Sequence, residues 1–173
     1  MSRIAVTPLD ELTETLQRTG ARSLIMLAGP GREAAAPNGV ADVTALVFND
    51  ILAPRDGLIA PDRSHVRAIL DAGRRWDAAQ PLVVQCWMGV SRSTAAALLI
   101  ASQARPDVPP QIWAGRLRMA APFATPNALM VRLGDEALGL GGRLAAAVNA
   151  IGRGAETGRG VPFDLHLDTA AAE

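Results

Sequence analysis

Three short, mostly apolar runs restrict the fold more than any other feature of the sequence. They are Ser23 to Ala28 (SLIMLA), Asp42 to Phe48 (DVTALVF) and Leu82 to Gln85 (LVVQ). A run that is apolar at nearly every position is typical of a strand buried on both faces, as in a parallel sheet. Because helix-like segments alternate with these runs and then follow one another, the pattern predicts a three-layer α/β domain with a mostly parallel central sheet flanked by helices.

Further elements are predicted from start and stop signals. A short strand at Arg3 to Val6 precedes a helix that we expect to begin at Thr7 and Pro8 and to stop at Gly20, because Thr can cap a helix and Pro suits its first position. Later helices, each opened by a proline or a hydroxyl residue, are predicted over 61–79, 91–104, 109–120 and 126–138.

The length of 173 residues predicts one domain with a tail. We place one folded domain at 1–151 and a flexible tail at 152–173, because the composition turns to Gly, Arg, Thr and Ala from about Gly152. Seventeen basic residues balance seventeen acidic ones, so no overall field attracts nucleic acid. The longest apolar run, Ala95 to Ala101, is far too short for a membrane span, and no secretory signal opens the chain, so we expect a cytoplasmic protein without a membrane partner.

The third apolar run leads into the segment that carries the chemistry, LVVQCWMGVSRSTAAALLIA. Cys86 ends the strand, and Arg92 opens an apolar helix after a short loop. If the loop curls around one centre, its backbone N–H groups point inward, and the helix start adds free N–H groups and its positive end. This arrangement predicts a site for a phosphate-sized dianion, formed by Trp87, Met88, Gly89, Val90, Ser91 and Arg92.

The same surroundings make the single cysteine a candidate nucleophile. A thiol at the start of such a loop feels the positive field, which favours its ionised, nucleophilic form. Arg92 can reach back across the loop and hold two phosphoryl oxygens in a planar fork that lysine could not provide. A free cysteine is more often a buried apolar residue, but the loop, the arginine and the following helix together favour catalysis by Cys86.

The segment CWMGVSRS resembles the C-x5-R-S/T signature of the cysteine-based protein tyrosine phosphatases, and most closely their small dual-specificity branch in its bacterial-type form. The resemblance covers roughly Ile4 to Leu140 and includes FND before the loop and PN in ATPNALM after it. It implies a phosphocysteine formed on Cys86, phosphoryl binding by Arg92, and an aspartate that protonates the leaving oxygen.

The resemblance also assigns supporting roles. Asp50, directly after the second apolar run, is the preferred general acid, and Asp56 is the alternative, while Asp62 looks like a helix N-terminal residue. Ser93 would hydrogen-bond the cysteine thiolate, and Asn127 would brace the phosphate loop, although a helix N-cap is an equally simple role for Asn127.

One departure leaves alternatives open. The family usually has histidine before the cysteine, and this chain has Gln85. A catalytically weak phosphate-binding module is therefore the second hypothesis, and another thiol enzyme, such as a sulfurtransferase or arsenate reductase, is the third. The leading hypothesis is a protein tyrosine or dual-specificity phosphatase that acts on a phosphorylated protein or a small phosphomonoester. No cofactor is expected, and the two histidines, His65 and His166, show no metal-ligand pattern.

Overall fold

The computed structural model describes residues 2–168. A five-stranded sheet has the order β3-β2-β4-β1-β5, in which β5 is antiparallel to β1 and all other neighbours are parallel. The elements in chain order are β1 (Arg3–Pro8), a 3₁₀ turn (Leu9–Glu11), α1 (Leu12–Thr19), β2 (Ser23–Ala28), β3 (Asp42–Val47), α2 (Arg63–Arg75), β4 (Leu82–Cys86), α3 (Arg92–Ala104), α4 (Pro110–Ala120), α5 (Ala128–Ala137), α6 (Arg143–Ile151) and β5 (Phe163–His166).

The sheet lies between two unequal layers of helices. On one face α1 covers a small apolar cluster that includes Leu24, Met26 and Val83. On the other face the remaining five helices enclose the main core, to which alternate residues of the same strands, such as Ile25 and Val84, contribute. Such alternation follows from the two-residue period of a strand. The predicted three-layer α/β fold with a mostly parallel sheet is confirmed.

Helix α3 runs through the centre of the larger layer. Every residue from Arg92 to Ser102 is buried, as expected of a helix that is apolar on all sides. It contacts α2, α4 and α5 as well as β1 and β4. The start of α3, which follows the loop after β4, is therefore held by packing on several sides. None of the helices within residues 2–168 is long and apolar enough to cross a membrane.

The first helix begins later than its sequence signals suggested. β1 continues through Pro8, which pairs with Cys86, and the helix proper starts at Leu12 after the 3₁₀ turn. Thr7 does not cap it, because the Thr7 hydroxyl instead accepts a hydrogen bond from the hydroxyl of Thr15 at 2.9 Å. Parallel pairing with β4 outweighs the local preference for a helix start.

The expected flexible tail from Gly152 is wrong for residues 152–168. Phe163 and Leu165 are buried, and β5 pairs with β1 along Phe163–His166. Asp164 also forms ion pairs with Arg3 and Arg18. The segment therefore belongs to the same domain as the sheet, because a second side of β1 was available for pairing. Residues 169–173 of the expected tail lie outside the described range.

Candidate active site

Cys86 is the last residue of β4 and lies at the carboxyl end of the parallel sheet. It is paired with Pro8 of β1 on one side and with Leu27 of β2 on the other, and its side chain is only 2 % exposed. Ligands of open α/β sheets bind at this end of the strands. The thiol is therefore fixed by backbone pairing on both sides at the expected edge of the sheet.

The loop after Cys86 turns its carbonyl groups outward. Four of them accept N–H groups from segments outside the loop, and in a trans peptide the next N–H points in the opposite direction. The N–H groups of Met88, Gly89, Ser91 and Arg92 therefore turn toward the inside of the loop. The outward bonds are Leu9 N–H to Trp87, Gly160 N–H to Met88, Thr125 N–H to Val90 and Asn127 N–H to Ser91, at 3.3, 2.9, 3.0 and 3.3 Å.

Gly89 is required at the centre of this loop. Its φ is +68°, a conformation that residues with a Cβ rarely adopt. A Cβ at this position would also stand 2.8 Å from the backbone nitrogen of Pro8 and 3.2 Å from the carbonyl carbon of Thr7. The loop thus curls directly against the end of β1, and only glycine fits this close approach.

The thiol of Cys86 contacts the hydroxyl of Ser93, the partner that the resemblance implies for it. Cys86 Sγ lies 3.0 Å from Ser93 Oγ, and both groups are buried. The N-cap residue of α3, Ser91, makes no side-chain hydrogen bond to the first turn. The N–H groups at the start of α3 are therefore not capped by a side chain, and the positive end of the helix lies next to the thiol.

Arg92 is buried with part of its guanidinium unpaired. Its side chain is 5 % exposed, Nη1 donates to the Phe48 carbonyl at 2.6 Å, and Cζ lies 5.8 Å from the centre of the Phe48 ring. Within residues 2–168, Arg92 Nε is buried without a hydrogen-bond partner. A buried charge is costly unless it is paired, so this edge of the guanidinium suits an anion.

Asp50 is held at the cleft by two side chains. Its Oδ1 accepts a hydrogen bond from Ser91 Oγ at 2.8 Å and another from Asn127 Nδ2 at 2.7 Å. Asn127 Nδ2 also donates to the carbonyl of Ile51, while Asn127 Oδ1 accepts the N–H of Met130 and caps α5. Asn127 is therefore the N-cap of α5, and its amide group fixes the segment that carries Asp50. Its contact with the loop at 87–91 is made by its backbone N–H, which donates to the Ser91 carbonyl, and not by its side chain.

The two other aspartates occupy different places. Asp56 lies on an exposed turn closed by the bond from Leu58 N–H to the Arg55 carbonyl, and it does not line the cleft around Cys86. Asp62 is the N-cap of α2 and accepts the N–H groups of Ser64 and His65. The hydrogen bond from the Ser64 hydroxyl is the main cause that lowers the pKa of Asp62. Asp62 is thus a helix N-terminal residue, as the sequence predicts.

Gln85 faces away from the cleft. Successive strand residues point to opposite faces of a sheet, and Gln85 accordingly lines a small cavity of about 30 Å³ with Met26 and Trp87 on the side of α1. The side chain of Gln85 therefore does not line the floor of the cleft.

The cleft above Cys86 has a volume of about 540 Å³. Trp87 and Met88 stand at its rim and are 44 % and 37 % exposed. Five of its lining residues could not be assigned from the sequence, because they come from the segments after β2 and after β3 and from the expected tail: Gly29, Arg32, Asn49, Thr157 and Gly158. Asn49 belongs to the segment FND that precedes the loop in sequence. Its N–H donates to the Ile59 carbonyl and its Oδ1 accepts the Ile59 N–H, and these two bonds close the chain segment that carries Asp50.

The charged groups of the cleft suit an anion. Its lining contains the guanidinium groups of Arg32 and Arg92 against the single carboxylate of Asp50. Among residues 2–168, no three His, Cys, Asp or Glu side chains lie close enough together to hold a metal ion. The floor of the cleft can therefore bind an anion through the N–H groups of the loop and the guanidinium of Arg92. The Cys86 thiol, the Ser93 hydroxyl and the Asp50 carboxylate lie beside this position.

The fold is similar to that of a solved structure. The crystal structure of DUSP15, a dual-specificity phosphatase, matches with a TM-score of 0.53 and 14 % sequence identity, and the match covers 85 % of this chain and 90 % of that chain. This chain has a dual-specificity-phosphatase-like fold. No protein-family model matches the sequence, and a search of curated proteins by sequence also finds no match. At this identity the likeness concerns the fold, which agrees with the resemblance found in CWMGVSRS.

Proposed function

We propose that this protein hydrolyses phosphomonoesters through a phosphocysteine, as a protein tyrosine or dual-specificity phosphatase. The observation that carries the proposal is the floor of the cleft, where the buried Cys86 thiol lies 3.0 Å from the Ser93 hydroxyl inside a loop of inward-facing N–H groups. The phosphatase-like fold supports the same activity. A phosphoryl group in the loop would bring its phosphorus to the thiol.

In the first step, the Cys86 thiolate attacks phosphorus and the bond from phosphorus to the ester oxygen breaks. The leaving oxygen takes its electron pair and receives a proton from the carboxyl group of Asp50. Within residues 2–168, both donors to Asp50 contact Oδ1, so Oδ2 is the oxygen that can carry this proton. General acid catalysis of this kind contributes about 10² to 10⁴-fold.

In the second step, water attacks the phosphocysteine. Asp50, now a carboxylate, accepts the proton from water, the phosphorus–sulfur bond breaks, and inorganic phosphate leaves. The electron pair returns to Cys86, where the hydroxyl of Ser93 at 3.0 Å can donate a hydrogen bond to the thiolate. Ser93 therefore makes the sulfur a better leaving group in this step.

The loop and Arg92 stabilise the charge that develops on the phosphoryl oxygens. Donors that are already oriented need no reorganisation during the reaction, and one such donor is commonly worth about 3 kcal/mol. Four loop carbonyls are held outward by bonds from other segments, which keeps the inward N–H groups in place. Arg92, fixed by the Phe48 carbonyl, presents its unpaired Nε edge to two oxygens at once.

The test replaces Cys86 with serine. We expect Cys86→Ser to abolish turnover of an aryl phosphate, because the hydroxyl is a much weaker nucleophile, while inorganic phosphate still raises the thermal unfolding midpoint through the intact loop and Arg92. Turnover by the variant at more than a small fraction of the wild-type rate would contradict the phosphocysteine. A wild-type protein that binds phosphate without any turnover would favour the binding-module alternative.

A further inference from the structure

A second arginine stands at the mouth of the cleft. Arg32 follows the turn after β2, and its Cζ lies 4.5 Å from the centre of the Trp87 ring. Both side chains line the cleft that contains Cys86 and Arg92. A guanidinium at this distance makes a cation–π contact with the indole, which holds it at the rim while its N–H groups remain able to meet an acceptor.

The charge of Arg32 is not paired with a carboxylate of the described residues. Seven other arginines in this part of the chain do form ion pairs, for example Arg18 with Asp164 and Arg105 with Asp107. Within residues 2–168, the Arg32 side chain forms no ion pair or hydrogen bond. Asp50, the only carboxylate among the lining residues, is already bonded to Ser91 and Asn127. The positive charge at the mouth is therefore not balanced by the residues that line the cleft.

The cleft is also larger than the scissile group requires. Its volume of about 540 Å³ lies within the range of pockets that bind whole small ligands, roughly 300–1,000 Å³. In the proposed reaction the phosphoryl group occupies the floor against Arg92, which leaves the space between the Trp87 rim and Thr157 for the rest of the substrate. Any anionic substituent of the substrate in that space meets Arg32.

We propose that the substrate carries a second anionic group, a carboxylate or a phosphate, beside the phosphate that is hydrolysed, and that Arg32, oriented by Trp87, binds it. This inference rests on the proposed function for its reaction. Arg32 lies at the rim of the cleft, away from the reacting atoms, so it would select among substrates and would not take part in the reaction. Guanidinium groups bind carboxylates and phosphates through two parallel hydrogen bonds, so either source fits the same site.

The experiment compares matched substrates on wild-type protein and on Arg32→Gln. One pair is a phosphotyrosine peptide with glutamate next to the phosphotyrosine and the same peptide with glutamine there. The other pair is the bisphosphate and the monophosphate of one diol. We expect wild-type protein to prefer the anionic member of at least one pair by about fivefold in kcat/KM, the size of a partly exposed charge pair, and Arg32→Gln to lose that preference.

The control is Arg67→Gln, which removes the same charge from the exposed face of α2, outside the cleft. It should keep the wild-type preference, whereas a general effect of net charge would reduce it equally. Preference for the glutamate peptide alone identifies a carboxylate, and preference for the bisphosphate alone identifies a phosphate. No preference in either pair, or a preference that survives in Arg32→Gln, would overturn the proposal.

Binding separates this proposal from the proposed function. If no phosphomonoester is hydrolysed, the same pairs are measured by calorimetry on Cys86→Ser with Arg32 present and on Cys86→Ser/Arg32→Gln. A binding preference that disappears with Arg32 supports the second anion site even though the hydrolase proposal has failed. Equal binding of both members of each pair refutes the site, whatever the outcome for hydrolysis.

Discussion

The loop at 87–91 and the segment at 152–160 meet in one cleft but specify it in different ways. The loop carries its chemistry in consecutive residues, between Cys86 and Arg92. The later segment carries no motif, yet Thr157 and Gly158 line the cleft and Gly160 holds the Met88 carbonyl outward. A local motif thus supplies the candidate reacting groups, while the outward orientation of its carbonyl groups depends on segments far along the chain.

The later segment is itself held by contacts with distant residues. Arg118 of α4 donates to the carbonyls of Ile151 and Gly152, and Arg159 forms ion pairs with Asp10 and Glu11. Exposed ion pairs contribute little to stability. The pairing of β5 with β1 and the close fit around Gly160 are therefore the contacts that keep this segment against the loop.

The largest expected effect tests the local motif, through Arg92. Arg92→Lys keeps the positive charge but loses the planar fork, so we expect kcat on an aryl phosphate to fall by at least 10²-fold, about 3 kcal/mol of transition-state stabilisation, with weaker phosphate binding. Steady-state kinetics and a phosphate titration measure both. Kinetics close to wild type would mean that Arg92 only neutralises charge.

The next effect tests the acid. Asp50→Asn removes the proton donor, so we expect a loss that grows with the basicity of the leaving oxygen: little on a highly activated aryl phosphate, about 10²-fold on a phosphotyrosine peptide, and at least as much on a phosphothreonine peptide. The alkaline limb of the pH–rate profile should flatten as well. Rates on the three substrates measure the dependence.

Asp56→Asn is the matched control, because Asp56 lies on an exposed turn outside the cleft. It should show no dependence on the leaving group. If the two variants exchange their behaviour, the acid is Asp56. If neither variant shows the dependence, the chain has no working acid and the phosphate-binding module becomes the better account.

The smallest expected effect tests how the segment at 152–160 supports the loop. A Cβ on Gly160 would stand 2.6 Å from Phe123 Cε2 and 3.0 Å from the Gly89 carbonyl oxygen. Gly160→Ala should therefore lower the free energy of unfolding by about 1–2 kcal/mol through overpacking and reduce kcat by about tenfold through displacement of the loop. Gly115→Ala, in open space on α4, should do neither. A variant Gly160→Ala with normal kcat would show that the loop keeps its shape unaided.

Elements whose signals are local could be predicted from the sequence. β2 matches its predicted bounds, and the apolar run of α3 and its loop are found as expected. α6 and β5 were missed because their stabilising contacts are distant. α6 follows two glycines and is capped by the buried carboxylate of Asp135, which accepts the N–H groups of Gly142, Leu144 and Ala145. β5 has four residues and depends on pairing with β1.

The same distinction applies to the candidate site. The spacing from Cys86 to Arg92 and the following serine indicated the cleft floor, and the end of β3 indicated Asp50. Arg32 and Thr157 could not be found in this way, because nothing in their local sequence shows that their segments fold over Trp87 and the loop. The carbonyl of Phe48 as partner of Arg92 was equally hidden, since a backbone group leaves no residue-specific signal.

Rapid-quench trapping tests the central claim most directly. Wild-type protein is mixed with an aryl phosphate labelled in its phosphoryl group, quenched with acid within the first turnovers, and digested for mass spectrometry. The account predicts a transient phosphoryl group on the peptide that contains Cys86, at a level that rises before steady-state release of phosphate, and no such label in Cys86→Ser. Turnover of the substrate with no phosphate on Cys86 at any quench time would contradict it.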